Sequence, residues 1–330
     1  MLNNALIDPY GRFLTYLRIS VTDRCNLNCM YCRREGLYPF LPSSDILRYE
    51  EILRIVRAGV RLGISKVRVT GGEPLVRREI GSFLKQLTEI PGINDVSITT
   101  NGMKLKEHLS QFKDIGIKRL NISLDSLNKK TFEIIAGHDG FDRVWDSIRT
   151  SVEMGFSPVK LNMVVIGGVN DHEIPDFANL TRTMPLHVRY IEYMPSTNLR
   201  LDKTKQILAP EIMKRAKQSK PLLPVYEKDN SSISERYRFA DGLGEIGFIS
   251  PVSKHFCRSC NRLRLTAEGM LRPCLLSDRS VNIRKVLRNN GTDDELTALF
   301  LKAAMLKPGY CLTEENENLS VPRLMSAIGG

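Results

Sequence analysis

Six short runs rich in β-branched residues, at 15–20, 66–70, 96–100, 119–124, 159–166 and 188–192, recur along a chain of 330 residues, with helix-compatible stretches such as 50–62 and 79–87 between them. A strand followed by a helix returns to the sheet parallel to its predecessor, because a parallel neighbour is reached only through a long crossover. Six such units between about residues 14 and 195 predict either an open doubly wound sheet or an incomplete (β/α)6 TIM-like barrel.

The strand faces favour the barrel. A parallel sheet covered on both sides reads as continuous apolar runs, yet these strands alternate. Leu17 and Ile19 oppose Arg18 and Ser20, and Val67 and Val69 oppose Lys66, Arg68 and Thr70. Ile98 opposes Ser97 and Thr99, Ile122 opposes Asn121 and Ser123, Val159 and Leu161 oppose Lys160 and Asn162, and Val188 and Tyr190 oppose His187 and Arg189. An antiparallel sheet with one solvated face also alternates, but helices between successive strands argue against it. A partly closed barrel, with a polar concave face carrying Arg18, Lys66, Arg68, Lys160 and Arg189, satisfies both connectivity and alternation. Such a lumen suits a polyanion.

The rhythm stops near Pro195, and the text to about Gly244 is mixed and basic, so a domain change is placed there, dividing the chain into 1–195 and 196–330. Beyond it, 262–266 and 270–274 flank Ala267-Glu268-Gly269 as a short hairpin, and 294–306 reads as a helix. The 48 Lys and Arg against 37 Asp and Glu, a formal net charge of +11, imply an anionic partner but do not choose among nucleic acid, membrane surface and phosphorylated small molecule. There is no block of five like charges to form a basic arm, no 18-residue apolar run, and no basic-then-apolar leader at Met1-Leu2-Asn3-Asn4-Ala5. The expectation is a cytoplasmic protein.

The chemistry lies in the cysteines. Seven is an odd number, and they are clumped as Cys25/Cys29/Cys32 and Cys257/Cys260/Cys274, with Cys311 alone. A disulfide framework predicts neither feature, whereas grouped thiols in a reducing compartment read as metal ligands. Cys25-x3-Cys29-x2-Cys32 falls directly after the first strand, at the end where barrel active sites are built. Structural zinc wants four ligands, commonly in two pairs; an iron–sulfur cube held by three thiolates keeps one iron open. The second trio, Cys257-x2-Cys260-x13-Cys274, has the same shortage, although His255 or Cys311 could complete a zinc site. Around it Lys254, Arg258, Arg262, Arg264 and Arg272 face a single acid, Glu268, between residues 254 and 272.

Cys-x3-Cys-x2-Cys with Tyr31 before its last cysteine resembles the radical S-adenosylmethionine (SAM) enzymes. Gly71-Gly72-Glu73-Pro74 after the second strand resembles their segment for the methionine amino group of SAM, with glycine permitting close backbone approach. Thr99-Thr100-Asn101-Gly102 and Ser123-Leu124-Asp125 end the third and fourth strands, on the same rim. With the second trio, the phrases Val21-Thr22-Asp23-Arg24-Cys25-Asn26 and Cys260-Asn261-Arg262-Leu263-Arg264-Leu265-Thr266, and Gly329-Gly330, the chain closely resembles the GTP 3′,8-cyclase family over nearly its whole length, least between about 196 and 245.

The resemblance implies a lyase of molybdenum cofactor biosynthesis that cleaves SAM to methionine and a 5′-deoxyadenosyl radical. The radical takes the ribose 3′ hydrogen of GTP, and the carbon radical closes on guanine C8. It implies two 4Fe-4S clusters, on Cys25, Cys29 and Cys32 and on Cys257, Cys260 and Cys274, the second holding the guanine. It implies SAM contacts at Tyr31, Gly72, Ser123 and Met194, and GTP contacts at Arg18, Arg68, Thr99, Lys160, Arg262 and Arg264, with Lys66 and Arg189 as further phosphate partners. The catalytic group it implies is Cys25, Cys29, Cys32, Arg18 and the diglycine Gly329-Gly330, which resembles a tail entering the active site. Partners on this reading are GTP, SAM, an electron donor and, by hand-off of product, a downstream cyclic pyranopterin monophosphate synthase; a homodimer is the assembly considered, and neither nucleic acid nor membrane is expected. One departure is Pro195-Ser196-Thr197-Asn198 after Met194, where a glycine is expected. Cys311 matches no ligand position and reads as a bystander. Two rivals stand beside this reading: a radical SAM enzyme acting on peptide or RNA, and a non-enzymatic zinc or iron–sulfur nucleic-acid module.

Overall fold

The computed structural model describes residues 5–32, 39–194, 203–218, 220–226, 234–309 and 328. Strands β1 (Tyr16–Ser20), β2 (Lys66–Thr70), β3 (Asp95–Thr100), β4 (Leu120–Ser123), β5 (Val159–Val165) and β6 (Leu186–Glu192) alternate with helices α1 (Tyr49–Val60), α2 (Ile80–Thr88), α3 (Leu109–Asp114), α4 (Lys129–Ala136), α5 (Phe141–Glu153) and α6 (Ile174–Thr183). All five neighbouring pairs from β1 to β6 are parallel and follow chain order. The alternation therefore belongs to a curved parallel sheet with a polar lumen, not to a one-sided antiparallel sheet.

Leu17, Ile19, Val67, Val69, Ile98, Ile122, Leu161 and Val188 are buried beneath the helices. Each such side chain contributes roughly 1.5–3 kcal/mol by leaving water, which fixes the register, since a one-residue slip would bring these groups to the lumen. Helix α4 begins at an Asn128 cap, whose Oδ1 accepts from the N–H of Lys130 at 3.0 Å and Thr131 at 3.2 Å. It ends at Gly137, with φ of +64°.

After β6 come α7 (Ala209–Ala216), β7 (Leu222–Pro224), β8 (Glu235–Phe239), β9 (Glu245–Ile249), β10 (Arg262–Leu265), β11 (Met270–Arg272), β12 (Val281–Asn282), α8 (Arg284–Arg288) and α9 (Asp293–Met305). Here the structure adds what the sequence reading does not contain. Strand β9 pairs in parallel with β6, and β10, the first strand of the expected hairpin, pairs in parallel with β1. Among the described residues the sheet thus has eight parallel strands in the order β10-β1-β2-β3-β4-β5-β6-β9, flanked by antiparallel strands on both edges. Helix α9 starts at a Thr292–Glu295 capping box and lies along α1, where Gly59 leaves room for the Phe300 ring; a Cβ there would stand 3.1 Å from it. Among the described residues no helix is long and apolar enough to cross a membrane.

Candidate active site

Side chains from all eight parallel strands or the loops that follow them line one cavity at the C-terminal ends of the strands. Both cysteine trios open onto it, as do Tyr31, Gly72, Ser123 and Met194, and with them Arg18, Arg68, Thr99, Arg189, Arg262 and Arg264. Lys66 and Lys160 do not line it. They sit on the same strand faces two residues earlier than Arg68 and Asn162, roughly 7 Å deeper toward the strand N-termini. Gly329, Gly330 and Cys311 lie outside the described residues, as does the Pro195–Asn198 departure.

The first trio sits in a loop held largely by backbone hydrogen bonds, with the Cys25 sulfur also accepting from Leu27 N at 3.4 Å and Asn101 Nδ2 at 3.7 Å. Asn28 N donates to Ala136 O at 2.9 Å and Met30 N to Ile135 O at 2.9 Å, so the loop is zipped to the end of α4, while Cys32 N donates to Cys29 O at 2.9 Å. Its entrance is fastened to the turn after β2: Gly72 N donates to Thr22 O at 2.6 Å and Glu73 N to Arg24 O at 2.8 Å. A Cβ on Gly72 would lie 2.3 Å from Arg24 O. The glycine expected to admit a ligand is thus required, in this structure, by the approach of the cysteine loop itself.

Buried carboxylates organise the rim. Glu73 accepts from Leu75 N at 3.0 Å, Thr100 Oγ1 at 2.7 Å and Asn101 N at 2.6 Å. Burial still pushes it up to about 7 against those three donors. Asp125 accepts from Tyr31 OH at 2.6 Å and Val164 N at 2.8 Å, and burial pushes it up to about 6. Burial likewise drives the Cys29 thiol well up, with Asp125 and the neighbouring thiols adding to it. Glu192, at the end of β6, accepts from Ala209 N at 2.7 Å, Val252 N at 2.8 Å and Ser253 N at 3.0 Å, anchoring the loop that carries Cys257 into the cavity. Its place on the apolar face of β6, in step with Leu186, Val188 and Tyr190, is the sequence signal that could have marked it.

Five arginines, Arg18, Arg68, Arg189, Arg262 and Arg264, make part of the same lining cationic. Burial lowers Arg18 well below its usual range, with Arg264 and Arg68 adding repulsion; it brings Arg189 to about 9 and Arg264 to about 10 for the same two reasons. Arg189 Nη2 donates to Asn121 Oδ1 at 2.7 Å, but its Nε, Arg262 Nε, Thr99 Oγ1 and Asn162 Oδ1 are buried with no hydrogen-bond partner. Arg189 Nε and Arg262 Nε, orphaned donors among mutually repelling guanidiniums, are what a polyphosphate would satisfy, since an N–H bond to a charged oxygen is among the stronger hydrogen bonds.

The donor set of each trio is three thiols. That is one ligand short of the four a structural zinc takes, whereas a cubane can take three thiolates, each on a different iron. His255 faces the same cavity.

Comparison with known proteins agrees with this geometry. The model of the radical SAM superfamily matches residues 19–181, and that of Molybdenum Cofactor Synthesis C matches residues 186–312. The GTP 3′,8-cyclase of Moorella thermoacetica is 43% identical over 323 residues, covering 98% of this chain and 99% of that protein. The GTP 3′,8-cyclase of Thermodesulfovibrio yellowstonii is 44% identical over 325 residues, covering 98% and 99%. The crystal structure of Streptococcus suis SuiB bound to S-adenosylmethionine superposes with a TM-score of 0.61 at 16% identity, over 87% of this chain and 67% of that one, a likeness of fold. Fold, cavity and full-length similarity converge, and the chain belongs to the GTP 3′,8-cyclase family of the radical SAM superfamily.

Proposed function

We propose that SAM binds against Cys25, Cys29 and Cys32 and that GTP lies across the cavity, its triphosphate among the arginines and its guanine toward Cys257, Cys260 and Cys274. As a member of its family the enzyme converts GTP to (8S)-3′,8-cyclo-7,8-dihydroguanosine 5′-triphosphate in the first step of molybdenum cofactor biosynthesis, using SAM and a 4Fe-4S cluster. When bound, the cluster supplies the electron that cleaves SAM to methionine and the 5′-deoxyadenosyl radical that takes the ribose 3′ hydrogen.

The observation that carries the reading is that both thiol trios and five arginines face one cavity. Tyr31, Gly72, Ser123 and Met194 stand on the rim beside the first trio, where the methionine and adenosyl ends of SAM would meet them. Arg18, Arg68, Thr99, Arg189, Arg262 and Arg264 hold GTP, with Lys160 and Lys66 acting on its phosphates by charge from below the cavity lining. The second trio carries a second 4Fe-4S cluster, in keeping with its three-thiol donor set. Residues 1–195 then serve SAM and 196–330 complete the GTP side. Orientation is the protein's chief contribution, and near-attack positioning is worth roughly 7–11 kcal/mol. An external one-electron donor, release of product to a downstream cyclic pyranopterin monophosphate synthase, a homodimer and a catalytic role for Gly329 and Gly330 complete the reading.

Anaerobic reconstitution with iron and sulfide, followed by SAM, a reductant and GTP, tests it. The expected result is 5′-deoxyadenosine formed in step with GTP loss; deoxyadenosine produced at the same rate with GTP left intact would sink the substrate assignment.

A pH dependence follows from Lys160. Burial, with Arg189 and Arg68 adding repulsion, brings its ammonium down to about 7. A bound triphosphate favours the charged form and raises it. Below about 7 the charge is already in place and affinity is full; above it, binding must take up a proton. GTP affinity measured between pH 7 and 9 should fall with rising pH by up to about tenfold per unit. Lys160→Met should flatten that slope, and an equal slope in the variant would remove Lys160 from the phosphate site.

A further inference from the structure

Lys307 follows α9 and belongs to no motif, yet it is only 4% exposed. Its three N–H groups all find acceptors. Nζ donates to Arg262 O at 2.8 Å, to Pro273 O at 2.8 Å and to Cys260 Sγ at 3.6 Å. These acceptors lie on the two separate segments that supply the second trio, one running from Cys260 into β10 and the other ending at Cys274. Among the described residues Lys307 forms no ion pair with a carboxylate. A buried ammonium is costly unless an anion compensates it, and among the described residues the Cys260 sulfur is the one acceptor of its Nζ able to carry a negative charge.

Arg12 ties the third point. Its Nη1 donates to Cys257 O and its Nη2 to Pro308 O at 2.7 Å, while its Nε pairs with the buried carboxylate of Asp8. Lys307 thereby meets the segments of Cys260 and Cys274, and Arg12 bridges Pro308 to Cys257, although 307 and 308 lie more than thirty positions further along the chain than Cys274.

We infer that Lys307 is a positioning residue of the second cluster, holding the Cys260 and Cys274 segments at cluster spacing and donating a charged hydrogen bond to the Cys260 sulfur. The inference rests on the reading that this trio holds a 4Fe-4S cluster. Partners that orient a ligand typically matter about 10- to 100-fold in metal affinity, and N–H donors to cluster sulfurs raise its reduction potential by stabilising the more negative reduced form.

The test uses the full chain with Cys25, Cys29 and Cys32 all replaced by alanine, so that only the second trio can load. After anaerobic reconstitution this parent should hold about four irons per chain. Adding Lys307→Met should at least halve the iron, and the remaining cluster should show a lower reduction potential and a changed electron paramagnetic resonance signal. Lys307→Gln, which keeps one donor to a carbonyl but no charge, should load more iron than Lys307→Met while showing the same fall in potential. Iron, potential and spectrum all equal to the parent in both variants would overturn the inference alone. A parent that loads no iron would overturn the second cluster itself, and the inference with it.

Discussion

Cys29→Ala is expected to abolish SAM cleavage while leaving GTP affinity within about twofold. The loop that carries this thiol takes its shape from the Asn28–Ala136 and Met30–Ile135 backbone hydrogen bonds and from the turn closed by Cys32 N on Cys29 O, none of which uses the sulfur. On the proposed assignment the substitution therefore removes one iron ligand and little else. Changes that merely disturb a ligand's orientation cost about 10- to 100-fold in metal affinity, so loss of the ligand itself should lower deoxyadenosine formation by at least about 10³-fold. Iron analysis and product assay read the loss, and equilibrium binding reads GTP. Deoxyadenosine formation at the wild-type rate would remove Cys29 from the SAM cluster, and a parallel collapse of GTP binding would show that the thiol holds the fold together.

Gly72→Ala should be nearly as damaging, from an atom that need touch neither SAM nor iron. The added methyl would stand 2.3 Å from Arg24 O and 2.7 Å from Asp23 O, both backbone atoms of the segment leading into Cys25. Neither can rotate away as a side-chain tip would. The segment must move by roughly 1 Å, breaking the Gly72–Thr22 and Glu73–Arg24 hydrogen bonds and carrying Cys25 with it. Overpacking of this kind costs about 1–3 kcal/mol in stability. A displacement of that size at a reacting centre costs about 10²-fold in rate. The expected outcome is a folded protein, a few degrees less stable, with iron loading reduced and turnover down about a hundredfold. Wild-type iron and turnover would show that the Asp23–Arg24 segment yields without moving the cysteines.

The lumen cations were legible because alternation is local. Arg18, Arg68 and Arg189 each follow an apolar neighbour that must be buried, so the pleat alone sends them to the other face. Depth along the strand is not written in that alternation. Lys66 and Lys160 share the faces of Arg68 and Asn162, but only the register between strands shows them lying deeper than the cavity lining.

The text of the chain by itself determined the six alternating strand–helix units, the polar face of their strands and the two thiol trios, since each follows from periodicity or spacing within a few tens of residues. Only the tertiary structure decided that β9 and β10 extend the sheet at its two edges, that Glu192 and Lys307 brace the loops of the second trio, and that Gly72 is demanded by Arg24. Those contacts join segments whose proximity depends on which apolar faces bury together across the whole molecule, and no local pattern encodes a partner fifty or two hundred residues away.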